Sequence, residues 1–141
     1  MKKVYLTIVT LSLIFFSASS VPAGEVMVII NNAVKTKPFT KKMASDIYLG
    51  NKTRWDDGRK IVIVLLRQGE THKKFTNEIL NIAPEKLGRF WKRAYFAGSC
   101  SLPKICKTEE KLIEVVTSYP GAIGYIDSET PHETVMGYAL Q

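Results

Sequence analysis

Tyr119-Pro-Gly-Ala-Ile-Gly-Tyr125 and, upstream of it, Asp46-Ile-Tyr-Leu-Gly-Asn-Lys-Thr-Arg-Trp-Asp-Asp-Gly58 decide the fold of this chain. In the first stretch Pro120-Gly121 stops a preceding helix, because proline cannot donate to the helical ladder and glycine adopts backbone angles closed to other residues. The apolar run 122–126 then reads as a strand whose glycine allows a helix to approach the sheet closely. In the second stretch Gly50 ends a helix after Leu49, Trp55-Asp-Asp-Gly58 forms a turn, and Trp55 is expected to pack beneath it.

Working outward, residues 25–31 (EVMVIIN) are rich in β-branched side chains and too short for a helix, so they predict a first buried strand. Thr40 is placed to cap a helix that carries Met43, Ala44, Ile47 and Tyr48 on one face. Residues 60–66 (KIVIVLL) are apolar throughout their interior, as in a central strand covered on both faces of a parallel or mixed sheet. A helix starting at Glu70 presents Phe75, Ile79 and Ile82. Another, starting at Pro84, repeats Leu87, Phe90, Trp91, Ala94 and Tyr95 at helical spacing, which predicts core rings rather than a cofactor cradle. Thr108 caps a further helix with Glu109 and Glu110 in its first turn and Leu112, Val115, Val116 and Tyr119 facing inward. A polar loop over 127–132 leads to a last strand candidate over 135–140. This alternation specifies an α/β layered domain with right-handed crossovers.

Chemistry concentrates at Arg67-Gln-Gly-Glu-Thr-His72, where the apolar strand gives way to a helix. Ligands of open α/β sheets gather at the carboxyl ends of strands, and a helix start offers unpaired N–H groups to an oxyanion. Gly69 lets a ligand approach the backbone, Thr71 adds a hydroxyl and Arg67 a guanidinium suited to bidentate pairing. Glu70 favours the helix dipole if it faces solvent and repels an anion if it turns inward. An ordinary strand-to-helix turn with its cap accounts for the same residues equally well.

The order of these segments resembles that of the phosphate-binding proteins of phosphate ABC transporters. In that family a D-I-Y/F-L-G-K helix end is followed by a W-x-D/G turn, a buried strand, a Ser/Thr-rich anion loop and a P-G-A-I-G-Y strand. The resemblance covers about residues 26–126 and about one lobe of two. It implies a single three-layer α/β sandwich lobe of the type II periplasmic binding protein-like fold. Matching on Phe75 places Thr71 at the family threonine and Gly69 near its Ser-Gly, and Arg67 meets the family arginine if the loop is shortened. The resemblance implies Arg67, Gly69 and Thr71 as anion contacts; with the helix-start residues Glu70, which departs from the family pattern, and His72, the expected ligand set is Arg67, Gly69, Glu70, Thr71 and His72. The implied function is an exported solute-binding-like protein for phosphate or a related oxyanion. The alternative is an envelope interaction module that docks a membrane transporter, sensor or envelope protein.

Length and charge bound this reading. The chain has 141 residues and a formal net charge of +7, two units of which, Lys2 and Lys3, belong to a charged start. The apolar run behind them and Val21-Pro22-Ala23 read as a signal peptide over residues 1–23, too short for a bilayer span. Residues 24–141 then form one domain, periplasmic or secreted, with no transmembrane segment left after processing. Basic residues are dispersed, without a compact run interleaved with aromatics, so nucleic acid is not an expected partner. Cys100 and Cys106, the only two cysteines, predict one disulfide in an exported chain. They lack the further ligands a zinc site needs, so no metal or cofactor is implied. His72, read as a lone exposed helix-start histidine, and the turn residues Asp56 and Asp57 lack catalytic partners in sequence, and no enzyme is expected.

Overall fold

The computed structural model describes residues 24–36 and 38–140; the expected signal peptide lies outside them. Five strands, β1 (Val26–Ile30), β2 (Val62–Leu66), β3 (Lys104–Cys106), β4 (Ala122–Asp127) and β5 (Met136–Ala139), form one sheet in the order β3-β2-β4-β1-β5. The sheet is mixed. β2 runs parallel to β3 and β4, whereas β1 is antiparallel to β4 and β5. β4, rather than β2, occupies the middle, and β2 stands one place out because the short strand β3 covers its other edge.

Four helical segments surround the sheet: α1 (Lys41–Tyr48), α2 (Glu70–Lys74, continuing as a π-helical turn over Phe75–Ile79), α3 (Pro84–Phe96) and α4 (Glu109–Ser118). Both threonine caps form as expected. Thr40 Oγ accepts from Met43 N and Thr108 Oγ from Lys111 N, each at 3.2 Å. The π turn has a local cause: Thr76 Oγ donates toward the carbonyls of both His72 and Lys73 at 3.1 Å, and Leu80 N reaches back five residues to Phe75 O.

Successive residues of β4 point to opposite faces and show the layering. A Cβ on Gly124 would stand 2.5 Å from Leu112 Cδ2 and 3.1 Å from Val116 Cγ2, so α4 lies directly on that face. The next residue, Tyr125, faces the other layer, where its ring stacks on Phe75 of the π turn at 3.9 Å and meets Tyr48 of α1 edge-on at 5.9 Å. The three-layer α/β sandwich is thus confirmed by one dipeptide.

Two aromatic expectations are corrected. α3 buries only Leu87 and Trp91, leaving Phe90, Tyr95 and above all Phe96, 85% exposed, at the surface. Helical spacing selects a face but not how much of it meets a neighbour, and α3 packs chiefly on the π turn. Tyr119 is likewise exposed, with Lys104 Nζ 4.2 Å over its ring.

The expected disulfide is not formed. Cys100, half-buried, lies on the loop before β3, and Cys106 is buried at the far end of that strand. Strand β3 runs toward Cys106 at about 3.3 Å per residue, whereas a bridge needs the two Cα atoms within about 7 Å. No described helix is long and apolar enough to cross a membrane.

Candidate functional site

β2 and β4 are parallel, so Leu66 and Asp127 end at the same edge of the sheet. The turn 67–69 leaves β2 there and α2 begins. Gly69 has φ of +112°, a backbone conformation that only glycine holds without strain, and among the described residues none beyond its chain neighbours lies within 4 Å of where a Cβ would be. The turn is therefore open on its outer side. Arg67, Gln68 and Glu70 are exposed, Arg67 N is tied to Cys106 O at 2.8 Å, and Glu70 pairs with Lys73 at 3.2 Å. Glu70 thus takes the solvent-facing position of a first-turn carboxylate.

Thr71 does not face an empty cleft. Its hydroxyl donates to Glu109 Oε1 at 2.5 Å, while Glu109 Oε2 accepts from the Asp127 backbone N–H at 3.0 Å and from the Thr130 hydroxyl. Three donors, from the start of α2, the end of β4 and the turn after it, converge on one carboxylate. That pattern is an oxyanion site, and the occupant is a side chain of the protein itself. Nothing in the spacing of the sequence links residues 38 apart, so Glu109 was legible only as a first-turn acid.

His72, expected to be exposed beside the ligand, instead turns inward and is 7% exposed. Its Nδ1 lies 2.6 Å from Tyr125 Oη, which also accepts the Leu66 N–H at 3.0 Å. All three groups are satisfied when the phenol donates its proton to Nδ1, placing the imidazole proton on Nε2. Burial lowers the pKa of His72, with Glu85 opposing, and pushes those of Tyr48 and Tyr125 up. Neutral imidazole and neutral phenol form a buried strut under the turn. The signal was present in the sequence, since His72, Phe75, Thr76 and Ile79 share one helical face.

Of the predicted ligand set, Arg67 and Gly69 lie on the open turn, Glu70 and the half-buried Thr71 at the start of α2, and His72 is buried beneath them. Among the described residues no three His, Cys, Asp or Glu side chains converge as a metal site.

No family model matches the sequence, and no curated protein matches it. Solved structures do. An ABC-type phosphate transport receptor from Vibrio cholerae superposes with a TM-score of 0.64 at 13% identity, covering 82% of this chain and 46% of its own. The chain has a periplasmic-binding-protein-like fold. A phosphate ABC transporter substrate-binding protein with bound phosphate from Clostridium perfringens (TM-score 0.64, 21% identity) and PstS from Borrelia burgdorferi (0.64, 16%) match over the same 82% of this chain. They are covered over 44% and 47% of their lengths. The chain thus spans less than half the length of the structures it matches. The structural likeness agrees with the segment order that the sequence displays.

Proposed function

We propose that the protein is an extracytoplasmic, non-catalytic binding lobe that takes phosphate or a related oxyanion at the turn Arg67–Thr71, in competition with its own Glu109. The carrying observation is the convergence of Thr71 Oγ, Asp127 N–H and Thr130 Oγ on the Glu109 carboxylate. An edge that holds one oxyanion with three donors has the chemistry to hold another, and the open backbone at Gly69 and the exposed Arg67 supply an approach for it. The likeness to phosphate transport receptors supports this choice of ligand.

The internal carboxylate also sets the expected strength. An incoming phosphate must displace Glu109 or bind beside it and Glu70, and solvent screens the remaining attraction. Binding by the native protein is weak in this reading, and removing the Glu109 charge strengthens it. The partner that receives the solute is a membrane transporter or sensor.

Calorimetric titration with phosphate, sulfate and acetate tests the proposal, using the native protein and Glu109→Gln. The glutamine retains the shape of the plug and loses its charge. Saturable phosphate or sulfate binding that tightens at least tenfold in Glu109→Gln supports the reading. Absence of binding in both proteins overturns it and leaves the second reading, an envelope interaction module, which the aromatic surface of α3 favours.

A further inference from the structure

The opposite edge of the sheet carries a second concavity, remote from the oxyanion turn. It lies at the amino ends of β2, β3 and β4, where residues 60–63, the loop 98–103 and Tyr119 enclose an open groove of about 700 Å³. β2 separates the two places by its full length, about 17 Å at strand rise. The volume falls within the range of small-molecule sites.

The groove joins apolar and cationic side chains. Ile61, Trp91 and the more exposed Tyr119 line it, together with Lys60 and Lys104. Lys52 is also there but is engaged by Asp56 at 2.8 Å. No lining residue is acidic. Among the described residues neither Lys60 nor Lys104 is ion-paired: Lys60 Nζ reaches only the Ser101 hydroxyl at 3.4 Å, and Lys104 Nζ sits over the Tyr119 ring. An independent observation comes from Trp91. The side chain is 6% exposed, it lines the groove, and its indole N–H is buried without an acceptor among the described residues. Buried donors are rarely left unpaired, because the lost water is not replaced.

We infer that this groove is a binding site for a small amphipathic anion, with an aromatic or aliphatic body and a single carboxylate-type head. The body covers Ile61, Trp91 and Tyr119, and the head is held between Lys60 and Lys104. One oxygen of that head is the acceptor that the Trp91 N–H lacks. Inorganic phosphate, which has no apolar body, would gain only the two lysine contacts, so it is not the ligand this groove fits.

The test uses octanoate and 4-phenylbutyrate as probes, with octan-1-ol and 4-phenylbutanol as uncharged counterparts, in titrations followed by amide and indole NMR shifts of the native protein. The expected result is saturable binding of both acids, at least tenfold tighter than the alcohols, with the Trp91 indole signal among those that move. The double variant Lys60→Ala/Lys104→Ala removes one exposed and one half-buried lysine and should weaken the acids tenfold or more while leaving the alcohols unchanged. Excess phosphate should not displace either acid. Equal affinity for acids and alcohols, no saturation, or shifts confined to the exposed aromatics of α3 would each overturn the inference.

Discussion

The indole N–H of Trp55 donates to the carbonyl oxygen of Gly121 at 2.9 Å, joining the two segments from which the fold can be read. Trp55 is 4% exposed, and Gly121 also receives Val62 N–H at 3.1 Å, so the turn after α1, the start of β2 and the start of β4 are fastened at one oxygen. Gly121 has φ of +88°, and a Cβ there would stand 2.4 Å from Lys60 O. Sequence order had suggested that these segments belong together; the structure gives the bond that makes them one unit.

Trp55→Phe should destabilise the protein by about 1–3 kcal/mol, since it removes a buried hydrogen bond and leaves space beside Gly121. Gly121→Ala should cost at least as much, because both the backbone angle and the Lys60 carbonyl oppose the methyl group. Urea unfolding of the three proteins checks the order, and an unchanged midpoint in Gly121→Ala would contradict the described contact.

On the opposite face of the sheet, Gly124→Ala inserts a methyl group into the α4 contact 2.5 Å from Leu112 Cδ2. Overpacking of this kind costs about 1–3 kcal/mol. The double change Gly124→Ala/Leu112→Ala should recover part of that loss relative to Leu112→Ala alone, as read in the same unfolding experiment.

The elements that depend on short-range signals were legible. Thr40 and Thr108 each cap the helix that follows them, and the apolar runs containing β1 and β2 are strands, because capping and strand formation are decided within a few residues. Long-range geometry was not. β3 has three residues and no pattern of its own, the aromatic face of α3 meets too little protein to be covered, and Cys106 is carried away from Cys100 by that same short strand. At the candidate site, the strand-to-helix turn after β2 could be read from sequence. Glu109 could not, because its role depends on bringing α4, α2 and the end of β4 to a single edge.

The thiols provide a check on the β3 region. Cys100 should react readily with maleimide in the native protein, whereas Cys106, 4% exposed and with its pKa raised chiefly by burial, should react only on unfolding. Mass analysis of timed labelling distinguishes the two. A single disulfide and no labelled thiol would overturn the described arrangement.

Protonation of His72 should oppose folding. Its pKa in the folded protein is lowered from 6.5 by burial, so its neutral form contributes stability that is complete above the unfolded value. That contribution is lost as the pH falls from there through the lower folded value. Charging Nδ1 would also remove the acceptor of the Tyr125 hydroxyl. Urea midpoints of the native protein should therefore decline below about pH 6.5, with a shallower decline in His72→Gln, which keeps an acceptor and does not titrate. Tyr125→Phe, which leaves the Leu66 N–H and His72 without their partner, should cost about 1–3 kcal/mol at neutral pH.

Thr71 and Glu70 separate direct ligand contact from electrostatics at the oxyanion turn. Thr71→Val removes the hydroxyl that holds Glu109, so it frees the carboxylate and deletes a ligand donor together. In the Glu109→Gln background only the second effect remains, and phosphate binding should weaken by about 1–2 kcal/mol for one lost hydrogen bond. Glu70→Ser removes an exposed charge from the helix start without touching the Glu109 contacts. It should strengthen phosphate binding in either background, by less at high salt than at low, because the site is open to screening ions. Isothermal titration of the native protein, Glu109→Gln, Thr71→Val/Glu109→Gln, Glu70→Ser and Glu70→Ser/Glu109→Gln at two salt concentrations gives the comparison. Equal phosphate affinity in Glu109→Gln with and without Thr71→Val would show that the hydroxyl serves the internal carboxylate alone.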